Sequence, residues 1–170
     1  MSDAGRARPE WRGDRRIRVA LEVTERSVRP AGMWVLQGPA VQRPSLAGSH
    51  VARVDVSGVP VLLQSFEDPR LVRGVARPDR AGHSYQERAS ATLHVDVPLR
   101  SGQVVDHIAI RIADLSGLSE RPTDPAGIVR ILDDPAVPVR WLPSVTMDQL
   151  AEHRDWEAVA RETGLRRPPA

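Results

Sequence analysis

The chain has 170 residues, 41% of them hydrophobic and 27% charged, which suits one globular core with polar tails. It has no cysteine, which excludes disulfides, thiol catalysis and Cys-ligated zinc. All 24 basic residues are arginine, and 22 acids leave a net charge of only +2, so the isoelectric point of 10.2 reflects untitratable guanidiniums rather than a polyanion-binding field.

Residues 1–13 are polar, charged and Gly/Pro-containing, and predict a loose tail carrying Trp11 as a candidate partner anchor. The stretch "MSDAGRARPEWRGDRR" has no apolar h-region, so no secretory signal is expected, and no apolar run approaches the length of about 18 that spans a bilayer. The expectation is a cytoplasmic protein without a membrane span.

Alternation then begins. In "RIRVALEVT", Ile17, Val19, Leu21 and Val23 share one face, and Arg18, Ala20, Glu22 and Thr24 the other, which predicts a half-buried strand. A short strand is expected over Met33–Gln37. Another is expected over "HVARVDV", with Ala52, Val54 and Val56 opposed by Arg53 and Asp55. Ser57-Gly58-Val59-Pro60 punctuates before "VLLQSF".

Glu67-Asp68-Pro69-Arg70 follows. Asp-Pro recurs at Asp124-Pro125 and Asp134-Pro135, so the device reads as structural. Asp at turn position i accepts backbone hydrogen bonds and Pro at i+1 fixes φ, which predicts a type I corner with Glu67 and Arg70 facing water. "LVRGV" is a further strand, with Gly74 marking a bulge.

The stretch from Ala76 to Arg88 is long for a hairpin connection. As a binding loop it would offer Arg77, Arg80, His83 and Tyr85 to a ligand; otherwise it is a linker. The clearest alternation comes next. Ala91, Leu93, Val95, Val97 and Leu99 oppose Ser90, Thr92, His94 and Asp96, and Ile108, Ile110 and Ile112 continue the pattern after the turn residues 100–103. Pairing Leu99 with Val104 predicts a β-hairpin. That register sets Asp96 opposite His107 with His94 diagonal to them. Two imidazoles and a carboxylate could hold Zn²⁺; the alternative is a solvated face with a cross-strand pair contributing about 0.2–1 kcal/mol.

Ser116–Pro125 reads as a polar loop. "GIVRIL" and "VPVRWL" are ambiguous, with Val137–Leu142 an edge strand because Pro138 removes a donor. From Thr146 the period becomes helical. Thr146 and Gln149 have capping-box spacing, Met147, Leu150, Ala151, Trp156, Val159 and Ala160 form apolar stripes, and Gly164 ends the segment. Trp34, Trp141 and Trp156 are expected inside.

Together these elements predict a mainly β chain. It would be an antiparallel β-sandwich of seven to eight short strands with a C-terminal helix, divided into a tail (1–13), the sandwich (14–145) and a helical segment with a frayed end (146–170). Strands and helices do not alternate, which argues against a parallel α/β fold. No G-x-x-x-x-G-K-[ST], G-x-G-x-x-G, G-x-S-x-G or H-E-x-x-H motif occurs.

The order "VLLQSFEDPRLVRG", a His-containing loop, "ATLHVDVPL" and "HIAIRIAD" resembles bacterial immunoglobulin- and fibronectin-type accessory modules over residues 50–114. The resemblance implies a sandwich fold and a binding or spacing role, without the Cys…Trp…Cys frame of true immunoglobulin domains. The leading expectation is therefore a non-catalytic module that binds a protein partner or itself and needs no cofactor. A metal-dependent enzyme using His94, Asp96 and His107 is one alternative, and a weak arginine-based nucleic-acid binder the other.

Overall fold

A computed structural model describes residues 13–73, 85–100 and 102–166. It is mainly β, with ten strands and three helices among those residues. The strands are β1 (Arg15–Thr24), β2 (Val28–Gln37), β3 (His50–Val56), β4 (Val59–Phe66), β5 (Leu71–Arg73), β6 (Tyr85–Glu87), β7 (Ser90–Leu99), β8 (Ile108–Asp114), β9 (Arg140–Trp141) and β10 (Val145–Thr146). The helices are α1 (Pro125–Asp133), α2 (Met147–Ala151) and α3 (Trp156–Thr163).

Two antiparallel sheets face each other. The first has the order β2-β1-β7; the second has β10-β8-β3-β4, with β9 also on β8; β5 and β6 form a separate pair. The period-two pattern explains the layering. Ile17, Val19, Leu21 and Val23 of β1 and Leu93, Val95, Val97 and Leu99 of β7 meet Ala52, Val54 and Val56 of β3 and Ile108, Ile110 and Ile112 of β8 in one buried cluster. Each such Val, Leu or Ile contributes about 1.5–3 kcal/mol on full burial. Met147, Leu150, Trp156, Val159 and Leu165 belong to the same cluster, so the C-terminal helices complete the sandwich core.

At its central strand the second sheet is buried on both faces. Every residue of β3 is buried. On its outer side Leu46, Val51, Leu63, Ala113 and Leu115 pack against Ile128 and Val129 of α1. The "GIVRIL" stretch is thus a helix. Asp124 caps it by accepting from the Gly127 amide at 2.8 Å, and Pro125 sits where no donor is needed. A Cβ at Gly127 would collide with the Pro122 ring, so glycine is required by close approach.

The expected hairpin of residues 90–113 does not form. Leu99 pairs with Arg15 and Val95 with Val19 in the first sheet, whereas Ile108 pairs with Val56 and Ile110 with Val54 in the second. Both apolar rows do face the core, but from opposite walls. Alternation fixes which face of a strand is buried, not which sheet carries it, and the chain from 100 to 107 is long enough to cross the roughly 10 Å between packed sheets.

The Asp-Pro corners are structural. Asp68 Oδ1 accepts from the Arg70 amide at 2.9 Å, the Leu71 amide closes on the Asp68 carbonyl at 3.0 Å, and Asp134 repeats the first contact with Ala136 at 2.9 Å. Arg70 differs from expectation. It turns back to ion pairs with Asp68 and Glu87, each at 3.0 Å, and stays largely covered, while Glu67 approaches the Ser49 amide. The edge position expected for Val137–Leu142 is taken by β9 on β8. Gln149 accepts from the Thr146 amide at 2.9 Å, and Gly164 ends α3 at φ 77°.

Candidate functional site

Among the described residues, the outer face of the first sheet has no layer over it comparable to α1. Register places Trp34, Arg18 and Asp96 in one row across β2, β1 and β7. Gly32, Ala20 and His94 form the row on one side of it, and Leu36, Arg16 and Pro98 the row on the other. Trp34 is 40% exposed, contrary to the expected core position, because its strand position points away from the sandwich. Its ring lies close to Gly32 and meets His94 edge-on at 5.6 Å.

Charges beside the indole are fixed. Arg18 grips Asp96 through Nε at 2.7 Å and Nη2 at 3.0 Å, and these hydrogen bonds raise the guanidinium pKa further. Arg16 Nε lies 3.1 Å from the same carboxylate, an ion pair without hydrogen-bond geometry. Its Nη1 donates to the carbonyls of Gln37, Gly38 and Pro39 at 3.0–3.2 Å, which ties down the chain leaving β2. Beyond Asp96 the face runs into a groove of about 340 Å³ against β4 and the 39–43 loop, where Arg43 joins Arg16 and Arg18.

Sheet edges are partly occupied by side chains. Gln42 acts as a mock strand on β4, accepting from the Leu63 amide at 2.8 Å and donating to its carbonyl at 3.0 Å. Asp155 Oδ2 accepts from the Met33 amide of β2 at 3.0 Å. Gln64 donates to the His94 carbonyl at 2.8 Å, which joins the two sheets along that side.

The second sheet carries a buried ionic cluster on the face that opposes Ala52, Val54 and Val56. Arg53 and Asp55 are 8% and 6% exposed. Arg53 lies opposite Arg111, and Asp55 bridges them, accepting from Arg53 Nε at 2.9 Å and Arg111 Nη2 at 3.0 Å. Asp133, the last residue of α1, closes onto Arg53. Burial lowers the Arg53 pKa, and the hydrogen bonds to Asp133 and Asp55 more than offset it. Arg111 also sits over the Trp141 ring at 5.0 Å, and Trp141, expected inside, is 36% exposed. These charges are paired with one another and hold α1 to the sheet.

At one end of the sandwich a small cleft of about 30 Å³ brings together His50, Phe66, Asp68 and Asp114. Ser49 Oγ bonds His50 Nδ1 at 3.0 Å, but His50 Nε2 is 3.8 Å from Asp114, which instead accepts from the Ser116 amide and hydroxyl at 2.9 and 2.6 Å. Ser49 and His50 are within hydrogen-bond reach, but at 3.8 Å Asp114 does not hydrogen-bond the imidazole and so does not orient it as the third member of a triad, and the space suits a water or two rather than a substrate. Burial pushes the Asp68 and Asp114 carboxyls up. The hydrogen bonds from Arg70 to Asp68, and from Ser116 to Asp114, outweigh it and hold both below the usual carboxylate range.

The candidate metal residues are not assembled as expected. His94 and Asp96 stay on the outer face of β7, with Asp96 committed to arginines, while His107 precedes β8 in the other sheet and its carbonyl accepts from Ser57. Among the described residues no group of three or more His, Asp or Glu side chains could hold a metal ion. Arg77, Arg80 and His83 lie outside the described residues, as do Trp11 and Gly74; the Tyr85 backbone pairs with Arg73. Among the described residues no helix is long and apolar enough to cross a membrane. Comparison with protein-family models, with curated proteins and with solved structures found no match.

Proposed function

We propose that this chain is a non-catalytic interaction module, of the immunoglobulin- or fibronectin-type kind that residues 50–114 resemble, and that a protein partner seats on the outer face of the first sheet. The exposed Trp34 indole carries this reading. It is a large apolar group standing beside His94 in a field of ion-paired arginines, the composition of an anchor with a polar rim. Gln42 and Asp155 already occupy the edge groups at Leu63 and Met33, which favours docking on the face over strand addition there.

Affinity capture with wild type, Trp34→Gln and Val59→Asp tests the reading. Trp34→Gln keeps a long side chain beside Gly32 while removing the indole, and Val59 is exposed on another part of the molecule. A protein retained by wild type and Val59→Asp but lost with Trp34→Gln, at unchanged melting temperature, supports it. Equal retention by all three refutes it.

A further inference from the structure

Resting on that surface assignment, we propose that the groove beside it takes an acidic segment of the partner, with its carboxylates on Arg43 and Arg18 and a neighbouring apolar side chain on Trp34. The charge balance points to this chemistry. Three guanidiniums, those of Arg16, Arg18 and Arg43, line the groove with one carboxylate, Asp96. Asp96 is shared by Arg16 and Arg18, while Arg43 is exposed and has no ion-pair partner among the described residues. Positive charge is therefore left over at the mouth of a concave site.

The charge is also preorganised. The three carbonyl contacts of Arg16 and the two-point grip of Arg18 hold both side chains in place, so a ligand orders little beyond Arg43. A guanidinium fork matches a carboxylate in two-point geometry. The groove also presents Val41, which is exposed, and the face continues to Trp34 through the Asp96–Arg18 row. Apolar ground between the charges fits a peptide of acidic and apolar residues better than a polyphosphate. A net charge of +2 over the whole chain supplies no long-range field for nucleic acid.

The test uses a synthetic peptide of alternating glutamate and leucine, its lysine-for-glutamate counterpart and a short oligothymidylate, titrated into the full chain by calorimetry. The acidic peptide is expected to bind, the basic one not, and Arg43→Glu to weaken binding at least about tenfold while Arg43→Lys retains most of it. Arg43 has no ion pair to lose among the described residues, so the melting temperature of Arg43→Glu should match wild type. No binding of the acidic peptide, equal binding by Arg43→Glu, or tighter binding of oligothymidylate with the same Arg43 dependence each overturns the proposal. If Trp34→Gln loses the captured partner and Arg43→Glu does not, the surface assignment stands and the groove assignment falls. If neither variant loses it, the surface assignment itself falls.

Discussion

Removing Asp55 should loosen the layer that closes the second sheet. Asp55 is the carboxylate that touches both Arg53 and Arg111, and those two arginines face each other across the β3–β8 ladder. Asp55→Ala leaves Arg53, itself 8% exposed, beside a like charge with only Asp133 to balance it. Breaking a buried pair by deleting one partner costs about 3–5 kcal/mol. Asp133 remains, and Arg111 can turn to water because its side chain is 40% exposed, so the lower end, about 3 kcal/mol, applies. For a chain of this length 1 kcal/mol moves the melting temperature by about 2–4 °C, which gives a fall of about 6–12 °C by circular dichroism. Arg111→Ala removes a more exposed pair and should fall by about 3 °C or less. Joint replacement Arg53→Met with Asp55→Leu should recover at least half of the loss, because apolar residues of similar size leave no buried charge. A loss for Asp55→Ala no larger than that for Arg111→Ala would refute the assignment of Asp55 as the bridge that holds the arginines and α1 in place.

Acid sensitivity follows from Asp68 and Asp114, whose folded pKa values lie below the ordinary value of 3.8. Depressed carboxyls contribute stability that is fully present above the unfolded pKa and is lost as pH falls through the folded one. The wild-type melting temperature should therefore drop below about pH 4, and Asp68→Asn with Asp114→Asn should start lower at neutral pH and show a shallower drop. A parallel acid profile would contradict the assignment. Gly127→Ala, which in an ordinary helix gains about 1 kcal/mol, should instead lose about 1–3 kcal/mol in urea unfolding, because the added methyl meets the Pro122 ring. Excess Zn²⁺ should leave the melting temperature unchanged; a rise abolished by His94→Ala or His107→Ala would show that these residues do meet around a metal.

The strands were legible where burial is one-sided. β1 and β7 alternate cleanly, and every inward residue read from that alternation is in the core or at its margin. Pairing was not legible. The rows of β7 and β8 agree with a hairpin register as well as with opposite walls of a sandwich, and only tertiary packing separates the two. β3 misled for a related reason. The alternation set Arg53 and Asp55 opposite the apolar row without showing that α1 covers their face, where the charges satisfy one another. The helix was hidden because "GIVRIL" is short and opens on glycine; Asp124-Pro125 ahead of it was a cap-and-N1 signal read as one more turn. Trp34 alternates outward with Arg18 in the register, yet a large aromatic in a chain with one Phe and one Tyr was assigned inward on residue type. The outer-face candidate thus came from parity, not from composition.

That the outer face of the first sheet is the binding surface is tested most directly by site-specific photocrosslinking in the cells that express the chain. A benzophenone side chain is placed at position 34 and, separately, at position 59, where Val59 is exposed at the β3–β4 turn. Position 34 should yield a discrete protein adduct that position 59 does not. Adducts from position 59 alone, or identical adducts from both, would contradict the assignment.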